Sequence, residues 1–417
     1  MRSWGGEAET TATALAVSAE RVWVGGHFTG TTDFDPGPGA FQMVGADASE
    51  PTGYVSWFSV DGTWLGARAS FSPASIVAEP EGGAYLLGMV GTTLGNGDVY
   101  LQRVDAAGQE QWTHTWDWAA VLFSGYLTVT PDGGVVASFT YHVPTDLDPG
   151  PSEWMVDTQG GEDVALVAFS PNGDFRWAST FGGPGDDYGG ASALAPDGGL
   201  VVSGTVADPS APGSFGANHV WLERLDANGK QLWSREWGGD HFGSAGEVAV
   251  DDNGTIYLLE SFAIANGESA PVDLDPGPGE HSVAVYNSEL FLSGFDANAG
   301  FLWAQPIDAG TLWAASDSVT TAGWCAAVGD LDPGPALEPC VGMFASNIGA
   351  DGDYLGSDQR PADYGSKWYY SAVRPGVARS LFVSGQFFEP AKQPNPFGPP
   401  FDPIAGQGAF LGFAPLY

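Results

Sequence analysis

The 417-residue sequence predicts an all-β fold, a single seven-bladed β-propeller with four antiparallel strands per blade. Three observations predict it. Short apolar runs recur along the whole chain, broken by turns rich in Gly, Pro, Asp and Asn. A tight turn closing on glycine recurs at Gly62, Gly108, Gly173, Gly229, Gly300 and Gly352, at spacings of 46 to 71 residues. The two ends of the chain read as complementary parts of one more unit. Self-similarity at such a spacing marks a repeated supersecondary unit, and no long stretch carries a helical period.

Each unit reads as four strands. The first is short and apolar, as in residues 247–250. A turn such as Pro131-Asp132-Gly133-Gly134 or Pro196-Asp197-Gly198-Gly199 leads to a second strand resembling residues 200–204 or 381–385. A long loop precedes the third strand, for example residues 164–169. An Asp-Gly or Asn-Gly turn then returns the chain as strand four, because glycine accepts the positive φ of a tight hairpin. A tryptophan follows several of these turns in register, at Trp112, Trp177, Trp233 and Trp303, and is read as blade packing. At Gly62 and Gly352 the matching positions are Gly66 and Gly356, so the signature decays there.

The chain ends on what reads as a third strand, residues 409–414, and begins with a fourth, residues 2–6. The N-terminal strand is therefore expected to complete the last blade, removing two exposed sheet edges. Length alone suggests about three domains. The repeat overrules length and predicts one domain over residues 1–417.

The phrase Leu225-Asp226-Ala227-Asn228-Gly229-Lys230-Gln231-Leu232-Trp233, together with Asp-x-Asp-Pro-Gly loops, resembles the bacterial surface propellers built from SBBP-type repeats. The resemblance covers nearly the whole chain. It implies a secreted or surface-displayed protein, in a family mostly without assigned activity. Blades two and four lack the full Asp-Pro-Gly loop, and the last blade has only Phe401-Asp402-Pro403.

Fifty-one acidic and 13 basic residues give a net charge of −38. Such a surface repels nucleic acid and anionic membrane, both of which need Lys and Arg contacts. It attracts cations and keeps the protein soluble. No apolar run is long enough to span a membrane. No secretory leader is legible at Met1-Arg2-Ser3-Trp4, so an extracellular location would require a targeting segment outside this sequence. The only cysteines, Cys325 and Cys340, flank one loop on presumed neighbouring strands. A disulfide between them is the favoured reading and suits an oxidising compartment, against two buried thiols.

Four loops carry almost one hexad: Asp33-Phe34-Asp35-Pro36-Gly37-Pro38, Asp146-Leu147-Asp148-Pro149-Gly150-Pro151, Asp273-Leu274-Asp275-Pro276-Gly277-Pro278 and Asp330-Leu331-Asp332-Pro333-Gly334-Pro335. Alternation places both aspartates on one side and the apolar residue on the other. Two readings stand side by side. Two convergent carboxylates plus carbonyls and water suit Ca²⁺, which makes Asp33, Asp35, Asp146, Asp148, Asp273, Asp275, Asp330 and Asp332 candidate ligands. Equally, Asp before Pro-Gly caps backbone N–H groups in a turn without any metal. The connections between blades are acidic too, at Asp186-Asp187 and Asp240-His241, so the long-loop face is expected to be the binding face.

No nucleophile elbow, His-Glu-x-x-His or phosphate-binding loop is present. The six histidines share no register, although His27 and His142 follow second strands near an Asp pair. Tryptophans outside the register, such as Trp118, Trp154 and Trp368, are the better ligand contacts. The leading expectation is a non-catalytic extracellular interaction, structural or adhesion module, calcium-stabilised if the hexads bind metal, with a protein or glycan bound at the long-loop face. The alternatives are a lectin and a polysaccharide hydrolase or lyase with paired carboxylates.

Overall fold

A computed structural model describes residues 2–5, 9–45, 51–90, 98–116, 120–207, 218–238, 241–264, 269–307, 310–332, 338–360, 368–376, 380–388 and 407–415. Among them every regular element is a β-strand. Contacts group the chain into two compact units: Met1–Ala137, Phe169–Asp174 and Ala362–Tyr417 form the first, Ser138–Ala168 and Phe175–Pro361 the second.

In the first unit, strands Thr10–Val17, Arg21–Phe28, Thr52–Ser59 and Trp64–Ser70 pair in chain order as an antiparallel sheet. Strands Ser72–Ala78, Ala84–Val90, Asp98–Val104 and Glu110–Trp116 do the same. A third sheet runs Trp368–Gly376, Ser380–Phe388, Gln407–Pro415 and then Arg2–Gly5. The N-terminal strand thus occupies the fourth position of the C-terminal sheet, with Arg2 opposite Leu411 and Gly5 opposite Gly408, as the reading of the termini anticipated.

In the second unit, Tyr188–Leu194, Leu200–Ala207, Asn218–Leu225 and Gln231–Trp237 form one four-stranded set. Phe242–Val250, Ile256–Ala263, Ser288–Phe295 and Phe301–Pro306 form the next, joined to it by a single parallel pairing of Asn218 with Phe242. Thr311–Ala315, Ser318–Asp330, Pro339–Gly349 and Tyr354–Arg360 form a third.

Within each unit the first strands of successive sheets pack together, and small residues make this possible. The first strand is bulged against the second at Ala12–Ala14, Pro73–Ser75, Gly189–Ser192 and Ala245–Val248. A bulge re-aims side chains. The Thr13 hydroxyl crosses to the next sheet and donates to the Pro73 carbonyl at 2.8 Å. Ser203 Oγ likewise reaches the Gly246 carbonyl at 2.8 Å. A Cβ on Gly190 would lie 2.6 Å from Ser203 Oγ and 3.0 Å from the Gly246 oxygen, so the approach requires glycine there.

The recurring tryptophans couple each fourth strand to the turn of the following sheet. The indole N–H donates to the second residue of that turn: Trp112 to Pro171 (2.9 Å), Trp177 to Ala227 (3.2 Å), Trp233 to Ala297 (3.3 Å) and Trp303 to Ala350 (2.8 Å). The ring covers the turn glycine so closely that a Cβ on Gly229 would sit 2.3 Å from Trp177. Gly229 also has φ of +77°, where side chains are strained. One copy is shifted by a residue from the sequence ruler: Ala299, at φ +61°, holds the left-handed position in place of Gly300. Its N–H closes the turn onto the Asp296 carbonyl at 3.0 Å.

Cores follow from these strands. Trp4, Val22, Val24, Phe28, Phe34, Tyr54 and Phe58 bury one cluster. Tyr257, Leu259, Leu292, Val319 and Ile348 bury another.

Candidate functional site

Three of the four hexads fold alike, and the apolar residue anchors each. Phe34, Leu147 and Leu274 are fully buried, and Leu331 of the fourth copy is buried as well. Asp33 Oδ1 accepts the Asp35 amide at 3.1 Å and the Phe41 amide at 2.8 Å. Asp146 Oδ1 accepts Asp148 (3.1 Å) and Trp154 (2.7 Å), and Asp273 Oδ1 accepts Asp275 (3.1 Å) and His281 (2.8 Å). The second aspartates cap the turn itself, taking the amides of Gly37 (2.7 Å), Gly150 (2.8 Å) and Gly277 (2.7 Å) on Asp35, Asp148 and Asp275.

Each loop returns as a short hairpin that the sequence reading did not resolve: Thr31–Asp33 with Gln42–Val44, Thr145–Asp146 with Met155–Val156, and Ser269–Asp273 with Ser282–Tyr286. The eighth residue after the first aspartate turns a ring onto a strand outside the hairpin, Trp64–Ser70, Phe175–Phe181 or Phe301–Pro306. Phe41 meets Trp64 at 5.4 Å, Trp154 meets Phe175 at 5.6 Å and His281 meets Phe301 at 4.9 Å between centroids. Thr31–Asp33 also pairs with the edge of Arg2–Gly5 through Asp33 and Gly5, covering that edge.

In the three loops whose side chains are described, each hexad presents two carboxylates, and one oxygen of each accepts backbone N–H, leaving two carboxylate oxygens toward the six to eight that Ca²⁺ takes. Among the described residues no group of three His, Cys, Asp or Glu side chains is placed to hold a metal. In the fourth copy Asp332 and the Leu331-to-Glu338 backbone bond (2.9 Å) are described, whereas the Asp330 side chain and residues 333–337 lie outside the described residues. So do Trp118, residues 401–403 and the side chains of Cys325 and Trp368. Cys340 is buried and disulfide-bonded. On the backbone, Cys325 lies opposite Gly342 and Cys340 opposite Gly329, across an irregular stretch of one hairpin.

The chemically unusual groups are buried carboxyls that the sequence reading passed over. Glu260 lies on Ile256–Ala263 with no exposed surface. It accepts the Trp237 indole N–H at 2.7 Å and the Ser293 hydroxyl. Burial pushes its carboxyl up to about 8 against those two donors. Glu223 is likewise buried, and burial raises it to about 8. A glutamate inside an apolar strand, as in Trp221-Leu222-Glu223 and Leu258-Leu259-Glu260, was the available signal.

Asp163 and Asp187 form a second buried group, each 1% exposed. Asp187 accepts the amides of Gly183 (2.5 Å) and Ala207 (2.8 Å), and Asp163 Oδ2 accepts that of Gln159 (2.6 Å). Among the described residues Asp163 Oδ1 has no hydrogen-bond donor, and a Cβ on Gly182 would lie 1.9 Å from it and 2.9 Å from Asp187 Oδ2. Desolvation and then the neighbouring Asp187 raise Asp163 to about 6, opposed by the Gln159 amide.

A cleft of about 360 Å³ opens beside the third hexad, lined by Trp237, Gly238, His241, Pro271, Val272, Asp273, Asp275 and Ser282. It brings together two predicted candidates, Asp273 and Asp275, with His241 of an acidic connection. His27 and His142 do not join it.

No protein-family model and no curated protein matches the chain. Among solved structures, a polysaccharide lyase of family PL25, an ulvan lyase, aligns at TM-score 0.51 with 10% identity over 92% of this chain and 91% of that one. A protein of unknown function from Dyadobacter fermentans aligns at TM-score 0.42 with 10% identity, over 99% and 98%. The Pseudomonas brassicacearum lignostilbene dioxygenase aligns at 0.45 with 12% identity, over 92% and 87%. At such identities the likeness to the lyase is one of fold.

Proposed function

We propose that this chain is a seven-bladed propeller of the SBBP-repeat kind, secreted or displayed on a bacterial surface, acting as a non-catalytic protein-interaction or adhesion module. One observation carries the reading. The repeated side chains that stand out in the sequence are committed to building the scaffold: hexad aspartates cap their own turns, and register tryptophans bond the next turn. A ring closed through Arg2–Gly5 and a Cys325–Cys340 bridge belong to this reading, and the bridge suits a protein outside the cell.

The second reading is a polysaccharide lyase, favoured by the fold shared with the ulvan lyase. Fold is a weak warrant for activity. Purified protein incubated with ulvan and other acidic polysaccharides should show no rise in the ultraviolet absorbance of unsaturated products. Sustained turnover, abolished by one substitution in the second unit, would replace the interaction module with an enzyme.

A further inference from the structure

We propose that the cleft beside the third hexad receives an arginine side chain presented by a protein partner. The reason lies in which polar atoms are left. Among the described residues the side-chain donors around the cleft are already engaged. The Trp237 indole N–H is held by Glu260 at 2.7 Å. The Ser282 hydroxyl donates to Glu280 at 3.0 Å. His241 Nε2 lies 3.2 Å from the Pro271 carbonyl, which makes that nitrogen the N–H donor and, in the neutral ring, leaves Nδ1 an acceptor.

The remaining polar groups accept. Asp273 and Asp275 each place Oδ1 on backbone amides, leaving Oδ2. Among the described residues no lysine or arginine lines the cleft. Among the described side chains the cleft therefore offers acceptors, which favours a ligand that only donates. A sugar hydroxyl both donates and accepts, and meets no free side-chain donor among them. A guanidinium has five donors and no acceptor, pairs in a fork with carboxylates, and keeps its charge at every working pH. Trp237, Pro271 and Val272 give its apolar stem a wall. The net charge of −38 would draw a basic partner toward the site.

This inference rests on the interaction reading, but its test is separate from the polysaccharide assay. The probe is acetyl-Gly-Arg-Gly-amide, with the isosteric neutral citrulline peptide as control. Binding is followed by nuclear magnetic resonance, reading the Trp237 indole and the amides of Asp273, Asp275 and Ser282. The arginine peptide should shift these signals saturably, and the citrulline peptide should bind at least about tenfold more weakly. Asp275→Asn keeps the acceptor for the Gly277 amide and removes the charge, so it should weaken binding about fivefold or more while the fold stands. Asp35→Asn, its counterpart in the first hexad, should change nothing. If Asp275→Asn fails to fold, Ser282→Leu, which fills the cleft, takes its place. Equal binding of the two peptides, shifts scattered over the acidic surface, or full binding by the variants would overturn the proposal.

Discussion

Glu260 and Asp163 show how much one carboxyl can determine inside a β-sheet. Burial raises Glu260 against its hydrogen bonds from Ser293 and Trp237, so the native state holds its proton up to about 8 whereas the unfolded chain releases it near 4.5. Between those values the native state binds more protons than the unfolded one, and stability falls as pH rises; below the window the contribution is complete, above it lost. Glu223 acts in the same direction over the same window. Asp163, raised from 3.8 to about 6, adds to the fall at lower pH. We expect the chain to melt at higher temperature near about pH 5 than near about pH 9. Glu260→Gln, which can still accept the Trp237 N–H, should flatten part of that slope. Parallel slopes for wild type and variant in calorimetric scans would show that Glu260 does not hold a proton in the fold.

The elements are held by two repeated devices of different legibility. The tryptophan–turn contact was readable, because a large aromatic at a fixed distance after an Asn-Gly turn has few roles but packing. Its partner was not, since the Trp303–Ala350 bond joins residues 47 apart and depends on how sheets stack. Trp303→Phe keeps most of the ring and loses the N–H donor, leaving the Ala350 carbonyl to water. It should cost about 1 kcal/mol in urea unfolding, and a cost near zero would remove the bond from the account. The hexads show the converse. Alternation correctly put Phe34, Leu147 and Leu274 inward, but spacing could not tell whether paired aspartates face a cation or their own backbone. Asp146 Oδ1 takes two amides, so Asp146→Ala strands both and should cost about 2 kcal/mol, whereas Asp146→Asn retains an acceptor and should cost less than half of that. Calcium raising the wild-type melting temperature, but not that of either variant, would return a metal to these loops. The buried glutamates went unread because a lone Glu in a strand looks like a solvent-facing residue until both faces of the sheet are covered.

At the scale of the molecule, the proposed ring depends on one short strand. Arg2–Gly5 pairs with Gln407–Pro415 on one side and meets Asp33 on the other, so it joins the last sheet to the first hexad hairpin. Trp4 is 1% exposed in the same cluster as Phe34, Tyr54 and Leu411. Side chains on one buried face draw residues from both ends of the sequence into a single core, which is how a repeat protein gains cooperativity beyond neighbour contacts. Removing residues 1–5 should therefore do more than delete four strand residues. It uncovers the Gln407–Pro415 edge and empties the Trp4 site, a loss of about 3–5 kcal/mol by the usual value for a buried tryptophan. The uncovered edge should promote self-association. The truncated protein is expected to melt well below wild type and to elute partly as oligomer, and a synthetic peptide of residues 1–8 added in trans should restore both properties. A truncated chain that stayed monomeric with an unchanged melting temperature would mean that the ends do not close the fold.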